Sequence, residues 1–252
     1  MKKILIAANW KLYVTEVEDA KNLASQLKRK ISKVKNIDTV ILPSAPLIST
    51  VAAVIKKSSI TVGAQTVSPF LDGAHTGYES AAAFKSAGVK WALVGHSERR
   101  AIESEDLIQT QVQAAAKAGL SVILCVGETE RDPQQGAHFS LIERQLSSAL
   151  AHFPTKGTKL VIAYEPVWAI GKSAAQAARP SDLEEMSIFI RRALTELFDR
   201  TAATKIPILY GGSVDGSNAQ DLLKQGGVSG FLVGRASTSA KSFIEIIDAC
   251  KG

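Results

Sequence analysis

Short apolar segments alternate with amphipathic ones along the whole chain. The segments typical of buried parallel strands lie at about 4–9, 37–42, 60–64, 90–94, 120–126, 159–165, 206–210 and 228–233. The segments with the apolar spacing of a helix lie at about 16–32, 45–56, 79–87, 105–118, 138–152, 181–199, 216–224 and 238–249. The pattern predicts eight units, each a strand followed by a helix.

Strands that alternate with helices form a parallel sheet. Eight such units without a break in composition favour a closed (β/α)8 barrel over an open doubly wound sheet. An open sheet that binds a dinucleotide has glycines directly after its first strand, and this chain has Asn9-Trp10-Lys11 there. We therefore predict one α/β domain over residues 1–252, with eight parallel strands inside eight helices.

Residues typical of helix ends support these boundaries. Ser181 and Glu184 match a capping box at the start of the sixth helix. Gly88, Gly119 and Gly226 follow helical segments, at positions where a left-handed residue is expected.

Length and composition narrow the class of protein. A chain of 252 residues with 46% hydrophobic and 21% charged content fits a single barrel of about 250 residues. The apolar run after Met1 is too short for a signal peptide, and no segment approaches the roughly 20 apolar residues of a membrane helix. We expect a cytoplasmic protein with no membrane partner. Cys125 and Cys250 lack a metal-ligand spacing, so we expect reduced thiols and no metal.

The net charge of +6 favours an anionic partner. The densest basic run, Lys28-Arg29-Lys30, follows an amphipathic segment and lacks the interleaved aromatics that stack on bases. We interpret it as a solvated helix end, where cations suit the helix dipole, and expect no nucleic acid partner.

Polar side chains follow several strands, and in a barrel the carboxyl ends of all strands open onto one face. Glu165 follows the sixth strand, and Pro166 favours an extended backbone at this carboxylate. His96 follows the fourth strand, and a helical turn starting at Ser97 would make its imidazole a neutral donor that can polarise a carbonyl. The sequence therefore predicts a catalytic carboxylate and an imidazole in one site.

The first strand adds Asn9 and Lys11 to this face. A lysine just past a buried strand can stabilise developing negative charge, and a Schiff-base role would additionally require desolvation. The other polar residues near these strand ends have structural interpretations. We predict an ion pair between Glu98 and Arg99, and Cys125 as a buried core residue.

Strands seven and eight end in Tyr210-Gly-Gly-Ser213 and Val233-Gly-Arg235. Missing side chains let main-chain N–H groups approach phosphate oxygens, and barrels often bind phosphate after these two strands. Gly211 and Gly212 are also compatible with a simple tight turn. Two such ends on adjacent strands favour a phosphate site.

Five sequence blocks at these strand ends, in this order, closely resemble the triosephosphate isomerase family over essentially the whole chain. They are Asn9-Trp-Lys11, Gly95-His-Ser-Glu-Arg-Arg100, Cys125-Val-Gly-Glu128, Ala163-Tyr-Glu-Pro-Val-Trp-Ala-Ile-Gly171 and Tyr210-Gly-Gly-Ser-Val214. The resemblance implies a TIM barrel that interconverts dihydroxyacetone phosphate and glyceraldehyde 3-phosphate without cofactor or metal. A glutamate base beside a neutral histidine is a known property of this family.

The resemblance also implies roles for particular residues. Glu165 would abstract the carbon-bound proton, His96 would shuttle protons on the enediolate oxygens, and Asn9 and Lys11 would supply electrostatic stabilisation. The phosphate would be bound by main-chain groups near four residues, which are Gly171, Ser213, Gly234 and Arg235.

The lid segment after Glu165 departs from the family pattern. Ala169-Ile-Gly171 runs directly into Lys172-Ser-Ala174, so the lid tip is two residues shorter than usual and an insertion follows it, up to Pro180. This departure motivates a different class of function, a phosphosugar-binding barrel without productive closure. A lyase that uses Lys11 as nucleophile is a third hypothesis.

The segment from Gly63 to Gly77 resembles the loop that inserts into a partner subunit in this family, and Gln65 and Thr76 match its pattern. The resemblance therefore implies a homodimer, with Glu98 and Arg99 in supporting positions. Tyr78 stands where the family has the glutamate that pairs with the residue matching Arg99 across the interface. The sequence does not identify a substitute carboxylate.

Overall fold

A computed structural model describes residues 3–32, 34–131, 136–154, 157–172 and 177–251. Eight parallel strands form a closed barrel in chain order, and the pairing of the first strand with the last closes it. The strands are β1 (Ile4–Asn9), β2 (Ile37–Leu42), β3 (Ile60–Ala64), β4 (Trp91–Val94), β5 (Ser121–Val126), β6 (Leu160–Tyr164), β7 (Ile208–Tyr210) and β8 (Gly230–Val233). The predicted fold class is confirmed.

Helices surround the barrel in the described part of the chain. They are α1 (Val17–Ile31), α2 (Ile48–Ile55), α3 (Ala81–Ser86), α4 (Ser97–Arg100), α5 (Glu105–Lys117), α6 (Ala137–Ala149), α7 (Pro180–Leu197), α8 (Arg200–Lys205), α9 (Ala219–Gln225) and α10 (Ala240–Ala249). The short helices α4 and α8 are additional to the eight predicted. Short 3-10 turns precede α2, follow Glu165 and follow β8.

Two predicted helix-end signals were wrong by one to two residues. Helix α7 begins at Pro180 because proline suits the first helical position, and its capping carboxylate is Asp182, which accepts a hydrogen bond from Arg179 N at 3.2 Å. The predicted box of Ser181 and Glu184 is not formed. Gly226 has a right-handed φ of −82°, and the left-handed residue is Gly227, with φ of +66°.

The barrel strands are buried on both faces, which explains why they are continuously apolar in sequence. Side chains alternate along each strand, so Leu5 and Ala7 of β1 point into the barrel interior while Ile6 and Ala8 pack against the helices. Cys125 belongs to the interior layer, as predicted, and both Cys125 and Cys250 are free and buried.

The basic run at the end of α1 is only partly solvated. Arg29 and Lys30 are exposed, but Lys28 Nζ donates hydrogen bonds of 2.9 Å to the carbonyls of Val54 and Lys56 at the end of α2. Lys28 therefore binds carbonyl groups that the helix leaves unpaired, and the prediction of a solvated side chain was wrong for this residue. Within the described ranges, no helix has the length and apolarity needed to cross a membrane.

Candidate active site

A cavity of about 560 Å³ opens at the carboxyl ends of the strands. All eight residues predicted to act on substrate or phosphate line it, although they come from distant parts of the chain. They are Asn9, Lys11, His96, Glu165, Gly171, Ser213, Gly234 and Arg235. No group of three His, Cys, Asp or Glu side chains in the described ranges is placed to bind a metal ion.

Glu165 lies directly after β6, and its N–H donates to Val126 O at 2.8 Å, which extends the pairing of β6 with β5 by one residue. Its carboxylate is buried, with 2% of the residue exposed. Oε2 accepts a hydrogen bond of 2.8 Å from Ser97 N, and Oε1 lies 3.2 Å from His96 Nε2. The carboxylate is therefore fixed beside the imidazole and inside the cavity.

His96 immediately precedes the short helix α4, whose first residue is Ser97. The first N–H groups of a helix have no partner within it. Two of them bind the two candidate catalytic side chains, since Ser97 N donates to Glu165 and Glu98 N donates to His96 Nδ1 at 3.2 Å. Because Nδ1 accepts a hydrogen bond, it carries no proton, and the proton of the neutral ring is on Nε2, which faces Glu165.

Lys11 has a left-handed main chain, with φ of +48°. Its N–H donates to Asn9 Oδ1 at 3.1 Å, and its carbonyl accepts a hydrogen bond of 3.0 Å from Gln65 Nε2. The ammonium group lies at the cavity wall and binds Glu98 Oε1 at 2.7 Å. Gln65 also donates to Leu42 O at 2.9 Å, so it links the predicted dimerisation segment to the first two strands.

The predicted ion pair between Glu98 and Arg99 was wrong. Glu98 pairs with Lys11, while Arg99 pairs with Glu103 one helical turn away. Partial burial raises the pKa of Glu98, but the hydrogen bond and charge of Lys11 outweigh burial and lower the pKa below its usual value. Glu103 also accepts a hydrogen bond of 2.9 Å from Gln111 Nε2. Arg99 thus has a carboxylate partner within its own chain.

Neighbouring atoms leave no room for a side chain at the two glycines after β7. A Cβ atom on Gly211 would lie 2.8 Å from Glu165 Cγ, and one on Gly212 would lie 2.3 Å from Tyr210 Oη. Gly211 therefore makes room for the candidate base, and Gly212 makes room for the tyrosine hydroxyl. Burial raises the pKa of Tyr210 to about 12, and its hydroxyl accepts a hydrogen bond of 3.2 Å from Ala178 N.

The four predicted phosphate contacts all line the cavity. The N–H groups of Gly234 and Arg235 donate to no acceptor among the described residues, and they lie at the start of the 3-10 turn Arg235–Thr238. Gly171 has φ of +74° and open space where a Cβ would be. Ser213 Oγ donates to Ala169 O at 2.9 Å, and the guanidinium of Arg235 lies 5.6 Å from the ring centroid of Tyr13.

Glu128 is a buried carboxylate whose role sequence reasoning missed. Its Oε1 accepts hydrogen bonds from Tyr164 Oη at 2.7 Å and from Trp168 Nε1 at 2.8 Å, and its carbonyl accepts from Val167 N at 2.9 Å. Burial, reinforced by the charge of Glu128, raises the pKa of Tyr164. Glu128 therefore connects the end of β5 to the segment that follows Glu165. A charged residue two positions after a buried strand was the available signal.

Cys125 is a core residue and not a nucleophile. Burial, together with the nearby charge of Glu165, raises the pKa of its thiol well above the usual value. The predicted second hinge, Lys172-Ser173-Ala174, and the insertion after it lie mostly outside the described residues, which stop at Lys172 and resume at residue 177.

Comparison with known proteins identifies the family of the chain. A sequence model of the family described as Triosephosphate isomerase matches residues 4–250. The triosephosphate isomerases of Treponema denticola and Syntrophotalea carbinolica are 42% and 40% identical to this chain, each over 98% of both sequences. The crystal structure of triosephosphate isomerase from Bartonella henselae superposes with a TM-score of 0.87 at 32% identity, covering 99% of this chain and 100% of that one. The chain therefore belongs to the triosephosphate isomerase family.

Proposed function

We propose that this isomerase interconverts dihydroxyacetone phosphate and D-glyceraldehyde 3-phosphate, a step of glycolysis and gluconeogenesis, with Glu165 as the base. Family membership supports the reaction. The observation that carries the residue assignment is the buried Glu165 carboxylate, 3.2 Å from His96 Nε2 in a cavity that Lys11 also lines. This arrangement has the base, the donor and the cation that the isomerisation requires.

In the proposed reaction, Glu165 removes a proton from the carbon next to the carbonyl of dihydroxyacetone phosphate. The electron pair of the broken C–H bond forms the C=C bond of an enediolate, and the carbonyl oxygen becomes the oxyanion. Glu165 then returns a proton to the neighbouring carbon, which gives the aldehyde. The carboxylate ends each turnover in its original state, so no cofactor is consumed.

His96 is the proposed donor to the two substrate oxygens. Its Nδ1 accepts from Glu98 N, so the mobile proton is on Nε2, on the side that faces Glu165 and the cavity. A neutral imidazole can give this proton to one oxygen and take a proton from the other. Asn9 and Lys11 are the proposed electrostatic partners of the developing negative charge, where fixed dipoles and charges act without reorganisation.

The phosphate of the substrate is proposed to bind near Gly171, Ser213, Gly234 and Arg235. The N–H groups of Gly234 and Arg235, which have no acceptor in the described part of the chain, support this assignment because they lie at the start of a helical turn, where an anion is favoured. Phosphate binding would supply energy for orienting the reacting carbons over Glu165.

The lyase hypothesis is weakened by the state of Lys11. A Schiff base requires a neutral amine, and the Lys11 ammonium donates to a carboxylate oxygen of Glu98 at 2.7 Å. Nothing in the described part of the lid favours the binding-protein hypothesis over the isomerase.

We also propose that the chain is a single domain over residues 1–252, acts in the cytoplasm and forms a homodimer. Seven of the nine large exposed apolar side chains in the described ranges fall in three short segments of the chain. They are Leu12, Tyr13, Val17, Phe70, Leu71, Tyr78 and Ile102. Gln65, which precedes the second segment, donates to Lys11 O next to the first, and Thr76 is exposed within the second. A second copy of the chain is therefore the proposed cover.

A steady-state assay with glyceraldehyde 3-phosphate tests the proposed function. We expect wild-type turnover without added metal, and we expect Glu165→Gln to lower kcat by about 100-fold to 10,000-fold, the usual contribution of a general base. Glu196→Gln is the matched control, because Glu196 is an exposed glutamate of α7 that pairs, among the described residues, with Arg192. Binding of a substrate analogue without wild-type turnover would support the binding-protein hypothesis.

A further inference from the structure

The side-chain amide of Gln145, in α6, binds both main-chain polar groups of Gly127. Gly127 N donates to Gln145 Oε1 at 2.9 Å, and Gln145 Nε2 donates to Gly127 O at 3.0 Å. If the amide were reversed, Nε2 would face the N–H of Gly127 and Oε1 would face its carbonyl, so that neither hydrogen bond could form. The two bonds therefore determine the orientation of the amide. Gln145 is buried, with 5% of the residue exposed.

Gly127 lies directly against the main chain of Glu165. A Cβ atom on Gly127 would be 1.8 Å from Glu165 O, so a side chain at this position does not fit. The preceding carbonyl, of Val126, accepts the hydrogen bond from Glu165 N. The position of the Gly127 peptide therefore determines where the main chain of Glu165 can lie.

The residues on either side of Gly127 are fixed by other contacts. Cys125 O accepts hydrogen bonds from Arg100 Nε at 3.2 Å and from Arg100 Nη2 at 2.9 Å. Glu128 is bound by Tyr164 and Trp168. Because strand β5 ends at Val126, Gln145 supplies the hydrogen bonds that a continuing strand would have given to Gly127.

On the opposite side, Gly211 N donates to Tyr164 O at 2.8 Å, and a Cβ atom on Gly211 would lie 2.8 Å from Glu165 Cγ. The proposed base thus lies between two glycine peptides, and the Gly127 peptide is clamped by an amide that comes from outside the barrel. Among the described residues, Gln145 is not part of the cavity lining.

We propose that Gln145 is a positioning residue for the isomerisation, which acts by fixing the Gly127 peptide against Glu165. The inference rests on the proposed role of Glu165 as the base. Gln145 does not contact substrate, so its loss should change the rate of proton transfer and leave phosphate binding intact.

Gln145→Met tests the proposal, because methionine has a similar length and forms neither hydrogen bond. We expect kcat to fall about 10-fold to 100-fold, since a displacement of about 1 Å at the reacting groups has effects of this size. KM should stay within about twofold of the wild-type value, because the interaction lost acts on the transition state. The affinity for 2-phosphoglycolate, whose carboxylate resembles the enediolate, should fall, while that for inorganic phosphate should not.

Arg191→Met is the matched control. Arg191, in α7, donates to the carbonyls of Ala203 and Ile206 near the amino end of β7, far from the cavity. Like Gln145→Met, this variant loses two hydrogen bonds between a helix side chain and the main chain. We expect its thermal stability to fall and its kcat to stay at the wild-type value. Gln145→Asn, which retains the amide on a shorter side chain, provides a milder variant with the same expected direction.

A folded Gln145→Met or Gln145→Asn variant with wild-type kcat would overturn the proposal. An equal loss of kcat in Arg191→Met, or a rise in KM with kcat unchanged, would overturn it as well. A wild-type chain without turnover would instead contradict the proposed function, so the two failures are distinguishable.

Discussion

Lys11 combines main-chain strain with a charged group at the cavity. Its left-handed φ of +48° costs a residue with a side chain about 1 kcal/mol. The strained geometry is maintained by hydrogen bonds from Lys11 N to Asn9 and from Gln65 to Lys11 O. Strain that surrounding contacts maintain is typical of functional positions, and here it places the ammonium group at the cavity wall.

Lys11→Met is expected to lower kcat about 100-fold to 1,000-fold, as does the loss of one preorganised electrostatic partner in other enzymes. The fold should be unaffected, because the two bonds to the Lys11 main chain do not involve its side chain. Lys21→Met, which removes an exposed lysine paired with Glu18, is the control and should retain activity. The measurement is a steady-state assay beside thermal unfolding, and near wild-type activity of Lys11→Met would discredit the electrostatic role.

Borohydride reduction in the presence of substrate separates this role from a Schiff base. We expect no trapped adduct at Lys11, because its ammonium is paired with Glu98. A borohydride-stable adduct, detected by mass spectrometry, would favour the lyase hypothesis.

Some residues of the candidate site were predictable from the sequence, and others were not. The residue types at strand ends were sufficient to select Glu165, His96, Lys11 and Asn9. The structural reasons for Gly211 and for Gln145 were not accessible, because each depends on a contact with a residue distant in sequence.

At the scale of elements, the start of α7 illustrates how a helix end is stabilised. Asp182 accepts hydrogen bonds from Arg179 N at 3.2 Å and from the Arg179 side chain at 3.0 and 2.9 Å. The hydrogen bond from the Arg179 side chain lowers the pKa of Asp182, and burial offsets only part of this effect. Asp182 therefore stabilises the fold in its ionised form.

Asp182→Asn is expected to lower the free energy of unfolding by about 1 kcal/mol at neutral pH, as for the loss of other helix caps. The folded pKa of Asp182 lies below the unfolded value of about 3.9, so the unfolded chain binds the proton more readily. The difference between wild type and variant should be complete above about pH 4 and shrink as the pH falls. Denaturant unfolding across this range measures it, and a difference that does not depend on pH would contradict the assignment.

The elements themselves were largely predictable because the barrel strands are buried on both faces and carry a continuous apolar signal. Helix α8 was missed because its six residues, Arg200–Lys205, are mostly polar and its stability comes from the cap at Asp199. The helical turn at Ser97 was anticipated only from its place after β4. Helix ends were less accurate because caps depend on local geometry, as at Pro180.

In the whole molecule, most of the large exposed apolar side chains lie in the segments 12–17 and 70–78 and at Ile102. Phe70 stacks on His75 with ring centroids 3.5 Å apart, and Tyr78 packs edge-on against Phe70 at 5.5 Å. Arg99 is already paired with Glu103. The proposed dimer therefore depends on apolar and aromatic contacts, and it does not require the family's ion pair across the interface.

Light scattering at micromolar concentration is expected to give twice the chain mass of 26.8 kDa. Ile102→Asp should shift the protein towards the monomer, because Ile102 is 75% exposed within the proposed interface. Ile188→Asp is the matched control, since Ile188 is 64% exposed on α7 and lies outside those segments. A monomeric wild type, or an equal effect of both substitutions, would contradict the dimer proposal.

Convergence of distant residues was predictable from the fold class, since a closed parallel barrel brings all strand ends to one mouth. The 3.2 Å separation of Glu165 and His96 was not, because it depends on the two N–H groups at the start of α4.

In the proposed mechanism, Glu165 removes the carbon-bound proton of the substrate within this cavity. The most direct test of this step is the conversion of dihydroxyacetone phosphate in D₂O, followed by NMR. The wild-type protein is expected to form glyceraldehyde 3-phosphate, with deuterium on the carbon that receives the proton whenever the proton held by Glu165 exchanges with D₂O before its return. Glu165→Gln is expected to lower the rates of product formation and of deuterium incorporation by about 100-fold to 10,000-fold. Deuterium incorporation by Glu165→Gln at the wild-type rate would contradict this mechanism.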